Sequence, residues 1–334
     1  MNRREFLMAA AAVPAAGTAN APRTAMGIAT TCYMTVARPR DTYEFLEHAN
    51  ALGAGGIQSA LTSLAPDYVA KVRDRARALG MYFEVMAGLP KAADDAFERT
   101  VVAAKEAGAL CVRSACLGGR RYETFADMAA WQKFVGDSHA AIDRAMPIIE
   151  KHGVPLALEN HKDWTVDEML KILRERNHPL LGVCLDTGNN ISLLDDPMRV
   201  VEELAPYAFS THIKDMGLEA DPDGFLLSEM PFGEGMMDLR KVVATIRSAR
   251  PQAKFTLEMI TRDPLKVPCL TGKYWTTFPE RSGRYLARTL KLVQAQKYHQ
   301  ALPRIDGLPR ASQLALEEDN VRACLYYARQ RLGL

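Results

Sequence analysis

Residues 154–161 read Val154-Pro155-Leu156-Ala157-Leu158-Glu159-Asn160-His161, an apolar run that ends in a carboxylate. A short, unbroken apolar run of this kind predicts a strand buried on both faces, as in a parallel sheet. The pattern recurs three times downstream. Leu181-Gly182-Val183-Cys184-Leu185-Asp186-Thr187-Gly188-Asn189 ends on an aspartate, Ala208-Phe209-Ser210-Thr211-His212-Ile213-Lys214-Asp215 carries a histidine, and Lys254-Phe255-Thr256-Leu257-Glu258-Met259-Ile260 carries a glutamate. With runs at 26–32, 55–61, 81–87 and 109–115, the predicted strands at 154–160, 180–186, 207–213 and 254–260 make a set of eight. Amphipathic helical patterns follow at 41–52, 66–79, 92–107, 122–152, 166–176, 198–205, 237–249 and 279–297. Leu-Gly at 79–80, Ala-Gly at 107–108 and His-Gly at 152–153 read as helix stops before the next strand. Eight strands alternating with helices, in a span close to the ~250 residues of such folds, predict an α/β fold, the (β/α)8 TIM barrel. A doubly wound sheet is the alternative, and it lacks a Gly-x-Gly-x-x-Gly after the first strand.

Two connections exceed the ~2–6 residues usual after a barrel strand. They are read as loops over 215–236 and 261–278, the second carrying Lys266, Lys273, Tyr274, Trp275 and Phe278. Long loops at the carboxyl ends of barrel strands cover substrates, so Trp275 is a candidate for stacking on a sugar ring. The barrel domain is read as 22–297. Residues 298–334 contain Pro303, Pro309 and an amphipathic helix over 311–332, a helical extension expected to act as a strap or as a contact between copies in a homo-oligomer.

The chain of 334 residues has 42 basic and 40 acidic side chains, a net charge of +2. That balance argues against a nucleic-acid partner, which calls for a strongly basic face. Six cysteines (Cys32, Cys111, Cys116, Cys184, Cys269, Cys324) show no Cys-x-x-Cys and no zinc-ribbon spacing, and several lie in apolar runs, so no bridge is assigned. Residues 1–21 have a different character. Arg3-Arg4-Glu5-Phe6-Leu7 precedes a short, weakly apolar alanine-rich stretch and small residues suited to cleavage, the pattern of a twin-arginine signal peptide. It implies a periplasmic or otherwise exported protein and the twin-arginine translocase as a transient partner.

The chemistry sits at the ends of the last four strands: Glu159, Asp186, His212 and Glu258. Carboxylates gathered at one barrel mouth repel each other in a low-dielectric site unless a cation joins them. Three carboxylates and one imidazole suit a single divalent ion, with Mn²⁺ favoured and Mg²⁺, Co²⁺ or Zn²⁺ as alternatives. Lys214 lies two residues past His212, on the same strand face. It is read as a substrate-oxygen contact or as a salt bridge to Asp186 or Glu159. His161 shares a face with Glu159, and Arg113 is a charge in an apolar strand, suited to bind substrate or to pair with a core acid.

Taken together, Glu-Asn-His at 159–161, Leu-Asp-Thr-Gly-Asn at 185–189, His-Ile-Lys-Asp at 212–215 and Leu-Glu at 257–258 resemble the xylose-isomerase-like TIM-barrel superfamily, and within it the sugar isomerase/epimerase branch. The resemblance spans roughly 26–297. It implies that Glu159, Asp186, His212 and Glu258 bind one divalent metal and that Glu159 and Glu258 also move the proton. The branch commonly places a histidine three residues after the strand-six aspartate, where this chain has Asn189. An amide donates a hydrogen bond but carries no charge and transfers no proton. The superfamily's DNA-repair members use a three-metal cluster that needs more histidines; of the seven here, only His161 and His212 fall at barrel strand ends, with His178 just before strand six.

The implied reaction removes a proton beside a metal-polarised carbonyl of a keto-sugar or related carbohydrate, giving an enediolate. Return of the proton makes an isomerase or epimerase. Loss of a leaving group makes a lyase or dehydratase. A periplasmic carbohydrate-binding protein without turnover is the reading from another class. A free, oxidised or glycosidic sugar suits export better than a sugar phosphate.

Overall fold

The computed structural model describes residues 22–33, 39–92, 95–295 and 302–334. The twin-arginine segment lies outside the described residues. Eleven strands occur among them: β1 (Gly27–Ala29), β2 (Gly56–Ser59), β3 (Tyr82–Met86), β4 (Val112–Ser114), β5 (Leu156–Glu159), β6 (Leu181–Asp186), β7 (Ala208–His212), β8 (Asp215–Asp221), β9 (Gly224–Met230), β10 (Thr256–Leu257) and β11 (Leu265–Val267). Eight of these form one parallel sheet in the order β10-β1-β2-β3-β4-β5-β6-β7. The sheet curls into a nearly closed barrel, and a parallel bridge between Ile213 and Leu257 spans the remaining seam. There Ile213 N donates to Thr256 O at 2.8 Å and Glu258 N to Ile213 O at 3.2 Å. The chain is a TIM barrel.

Helices follow the strands with boundaries set by local chemistry. Pro66–Leu79 ends at Gly80 in the left-handed region, with φ of 64°, a conformation that costs glycine nothing. Val166–Arg176 starts in a capping box, the Thr165 hydroxyl accepting from Glu168 N while Glu168 reaches back to Thr165 N. The region read as one helix over 122–152 is two: a turn at Arg121–Thr124, then Met128–His152, which begins where Asp127 caps Ala130 N at 2.8 Å. The last barrel strand pairs over only Thr256–Leu257, because beyond it Met259 N turns to the Cys32 sulfur instead of a strand neighbour.

The two long connections are not plain loops. Residues 215–230 form an antiparallel hairpin, and β11 from the second connection adds a third strand in the order β11-β9-β8. The turn is Asp221-Pro222-Asp223-Gly224, a turn signature by composition, and Met216, Leu218, Phe225 and Leu227 bury the hairpin's apolar side. Asp215 anchors its base, accepting from the backbone N–H groups of Met216, Gly233, Gly235 and Met237 at 2.9–3.0 Å. A Cβ on Gly235 would fall on the Asp215 carboxylate, so the Gly-Glu-Gly turn has to be glycine there.

Beyond the barrel the C-terminal helix runs over Arg310–Tyr327. Its side chains meet the turn after β1, with Tyr33 O–H donating to Glu318 at 3.0 Å, and the segment after β10, with Asn320 donating to Thr261 at 2.9 Å. All six cysteines are free.

Candidate metal centre

The ends of β5, β6, β7 and β10 place Glu159, Asp186, His212 and Glu258 together. Each offers one ligand atom within 4.8 Å of all the others, and all four side chains are buried. His212 Nδ1 is 3.6 Å from Glu159 Oε1, 3.7 Å from Asp186 Oδ2 and 3.4 Å from Glu258 Oε2.

The residues around each ligand explain its aim. Asp186 Oδ1 accepts from the backbone N–H of Gly188 (2.8 Å) and Asn189 (2.7 Å), which closes the turn and leaves Oδ2 for the cluster. Asn160 clamps the end of β6, its Oδ1 accepting from Asp186 N and its Nδ2 donating to Asp186 O, both at 2.8 Å. Lys214 N donates to the Thr187 hydroxyl at 2.9 Å, which ties β7 to the same turn. Leu-Asp-Thr-Gly-Asn is therefore a device for fixing one carboxylate oxygen.

His212 is oriented from behind. Gln58 donates through Nε2 to Glu84 at 3.0 Å, so its carbonyl oxygen must face the ring, and it accepts from His212 Nε2 at 2.7 Å. Ser210 completes this layer with a 2.6 Å hydrogen bond to Glu84. The Nε2 proton is thereby assigned, and Nδ1 is left facing three carboxylates with no hydrogen-bond partner. A buried imidazole nitrogen among carboxylate oxygens fits a cation, a proton when no metal is bound, and oxygen-rich donors with one imidazole suit a hard or borderline divalent metal. Glu159, Asp186, His212 and Glu258 are the residues that would hold it.

The remaining groups set the charge. Lys214 Nζ lies 2.5 Å from Glu258, 3.0 Å from Asp186 and 3.7 Å from Glu229. Burial alone would raise the Glu258 pKa, but His212 and Lys214 outweigh it and hold the group well below the usual carboxylate range. Thr31 donates to its other oxygen at 2.7 Å. Arg113 sits against the Glu159 carboxylate, and Asn189 Nδ2 donates to Glu159 Oε1 at 3.1 Å. His161 is held neutral by burial and by the nearby cations Lys162, Lys214 and Arg113. Trp275 donates to the Cys269 carbonyl at 2.9 Å and packs edge-on against Tyr274, so it anchors its own loop.

Several groups here were invisible to pattern reading. Gln58 looks like an ordinary strand residue, whereas Glu84, like Arg113 a charge in an apolar strand, stands out in the sequence. Glu229 and its partner Arg262, at 2.6 and 3.2 Å, come from the hairpin and from the segment after β10, both read as loop. Lys162, beside the Glu-Asn-His motif, is buried and donates to Asn189.

A family model described as xylose isomerase-like TIM barrel matches residues 46–277. The chain belongs to that family. Among curated proteins it is 28% identical over 218 residues to 3-oxo-isoapionate decarboxylase of Pectobacterium atrosepticum, a stretch covering 64% of this chain and 75% of that one. Among solved structures, D-psicose 3-epimerase, determined in the presence of D-fructose, superposes with a TM-score of 0.61 at 15% identity, covering 92% of this chain and 99% of the other. A xylose isomerase-like TIM barrel protein of Mycobacterium smegmatis, in complex with magnesium, gives 0.53 at 16% identity, covering 79% and 97%.

In this xylose isomerase-like barrel the support behind His212 has a measurable consequence. Gln58→Leu removes the acceptor that fixes the imidazole tautomer. The expected result is ~10–100-fold weaker Mn²⁺ binding by calorimetry, the usual cost of losing a partner behind a metal-ligating histidine. Unchanged affinity would show that the ring needs no such support.

Proposed function

We propose that this protein is a divalent-metal-dependent enzyme, with Mn²⁺ the favoured ion, that isomerises or epimerises a keto-sugar or related carbohydrate by glutamate-mediated proton transfer through an enediolate. One observation carries the reading: two glutamates, Glu159 and Glu258, reach the same imidazole nitrogen from strands separated by β6 and β7. A divalent ion held there supplies Lewis-acid polarisation of a carbonyl and its neighbouring hydroxyl. Glu258, kept anionic by His212 and Lys214, accepts the proton from the carbon beside the carbonyl at a carboxylate oxygen. Glu159, oriented by Asn189 and Arg113, takes up a proton from solvent and delivers it from its own side, while Glu258 gives its proton up to solvent. Lys214 balances the charge that grows on the substrate oxygens.

A second reading is favoured by the curated relative that is a decarboxylase. Loss of carbon dioxide from a 3-oxo acid leaves an enolate that needs only a proton at the carbon it leaves, whereas a lyase or dehydratase first removes the proton beside the carbonyl and then expels a leaving group that a second acid protonates. Both readings are tested by incubating keto-sugars and keto-sugar acids with Mn²⁺-loaded protein in deuterium oxide and following them by NMR. Deuterium at the carbon flanking the carbonyl supports the proposal, and release of carbon dioxide with deuterium at the carbon it leaves selects decarboxylation. Binding of a sugar with neither outcome would sink the enzyme reading and leave a carbohydrate-binding protein.

We also propose that residues 1–21 direct export through the twin-arginine translocase. The expected result is recovery of the chain in the periplasmic fraction, abolished when Arg3 and Arg4 are both changed to Lys. Equal periplasmic recovery of the double variant would refute this route.

A further inference from the structure

Four cationic side chains surround the centre, and three of them have carboxylate partners. Arg113 meets Glu159, Arg262 meets Glu229, and Lys214 meets Asp186, Glu229 and Glu258. Lys162 is the exception. It is 4% exposed, and the one hydrogen-bond partner of its ammonium among the described residues is the Asn189 amide oxygen. The same oxygen accepts from Lys214 Nζ at 3.2 Å. Two buried ammonium groups thus share one neutral acceptor, with donors of Lys162 to spare. Burial, then Lys214 and Arg262, push the Lys162 pKa down to about 7, which reflects how poorly its charge is matched. Beside it, the buried His161 Nδ1 also lacks a partner.

The charge count points the same way. Arg113, Lys162, Lys214 and Arg262 balance Glu159, Asp186, Glu229 and Glu258. A divalent ion adds two positive charges, and counting Glu84 as ionised still leaves one. Unmatched charge in a buried site is costly, and a neutral ketose does not relieve it in the ground state.

We propose that Lys162 and Lys214, bridged by the Asn189 amide, form a seat for a carboxylate on the substrate, so that the substrates are keto-sugar acids rather than neutral ketoses. The word substrate rests on the enzyme reading above. A single carboxylate neutralises that excess charge, whereas a phosphate dianion would leave the buried site net negative before charge develops on the enediolate. Lys162 is then a specificity-determining residue, and Asn189 holds it beside Lys214.

The test is calorimetric titration of Mn²⁺-loaded full-length protein with D-gluconate, D-glucitol and D-glucitol 6-phosphate. Gluconate should bind at least ~10-fold more tightly than glucitol, the scale of one charge-assisted contact. Lys162→Met should erase that preference by weakening gluconate far more than glucitol, with both compared at saturating Mn²⁺, and Lys162→Arg should restore part of it. In chelator-treated protein the ion's charge is gone and the preference should shrink, and the part of it that depends on Lys162 separates this seat from carboxylate binding at the ion. Equal binding of gluconate and glucitol, a preference that survives Lys162→Met, or tighter binding of the phosphate would each overturn the proposal. Metal-dependent deuterium exchange in neutral keto-sugars without a gluconate preference would remove the seat and leave the enzyme. A Lys162-dependent preference with no exchange or decarboxylation on any sugar would remove the enzyme and leave the seat.

Discussion

Glu258→Gln lowers solvent-deuterium exchange by at least ~100-fold, within the usual contribution of a positioned general base. The amide keeps the size of the side chain and an oxygen that can still accept from Thr31, which lies 2.7 Å from Glu258 Oε1. What it loses is the proton-accepting oxygen beside Lys214 (2.5 Å) and His212 (3.4 Å). Because Glu258 would also ligate the ion, metal affinity weakens in parallel, and the comparison has to be made at saturating Mn²⁺. A variant that, once saturated, exchanges within ~10-fold of the parent would remove Glu258 from proton transfer and leave it as a ligand alone. Substrate affinity at saturation should change far less than the rate, since the lost step belongs to the transition state.

Manganese affinity should fall steeply with acidity, by about 10-fold per pH unit for one displaced proton and so ~100-fold between pH 8 and pH 6. The cause is the His212 ring. Burial alone would lower its pKa, but the Cys184 thiol, Glu258 and Asp186 outweigh burial and raise it well above the ordinary value. In the absence of an ion the ring carries a proton among the carboxylates, and the ion has to displace it. The sign follows: below the raised pKa the proton competes and binding weakens, and above it the competition disappears. Titrations in two buffers of different ionisation enthalpy should report release of about one proton per Mn²⁺ bound near neutral pH. Binding that is flat with pH and proton-neutral would mean that His212 is not in the metal's coordination.

The four groups that converge were visible in the sequence for a physical reason. A strand covered on both faces reads as unbroken apolar residues, so the single ionisable residue at its end stands out, as Glu159 and Asp186 do. The barrel was legible from the repetition of that pattern. What sequence hid is whatever depends on a partner far along the chain. Gln58 becomes meaningful only because β2 brings it opposite His212, which is 154 residues away. Glu229 and Arg262 pair across 33 residues, between two connections read as loops. The turn Asp221-Pro222-Asp223-Gly224 was a readable hairpin signal, and the expectation of a simple loop over 215–236 passed over it. Lys162 was overlooked because a lysine after a motif ordinarily faces water, whereas here the loop after β5 turns it inward to Asn189.

The seam between β7 and β10 is the thinnest part of the ring, held by one bridge at Ile213 and Leu257. Two of the four converging groups stand immediately on either side of it, His212 on one stave and Glu258 on the other. An ion gripping both acts as a clasp where the first and last parts of the barrel meet. Loading the ion would then add a side-chain tie across the seam, beside the backbone bridge that already spans it.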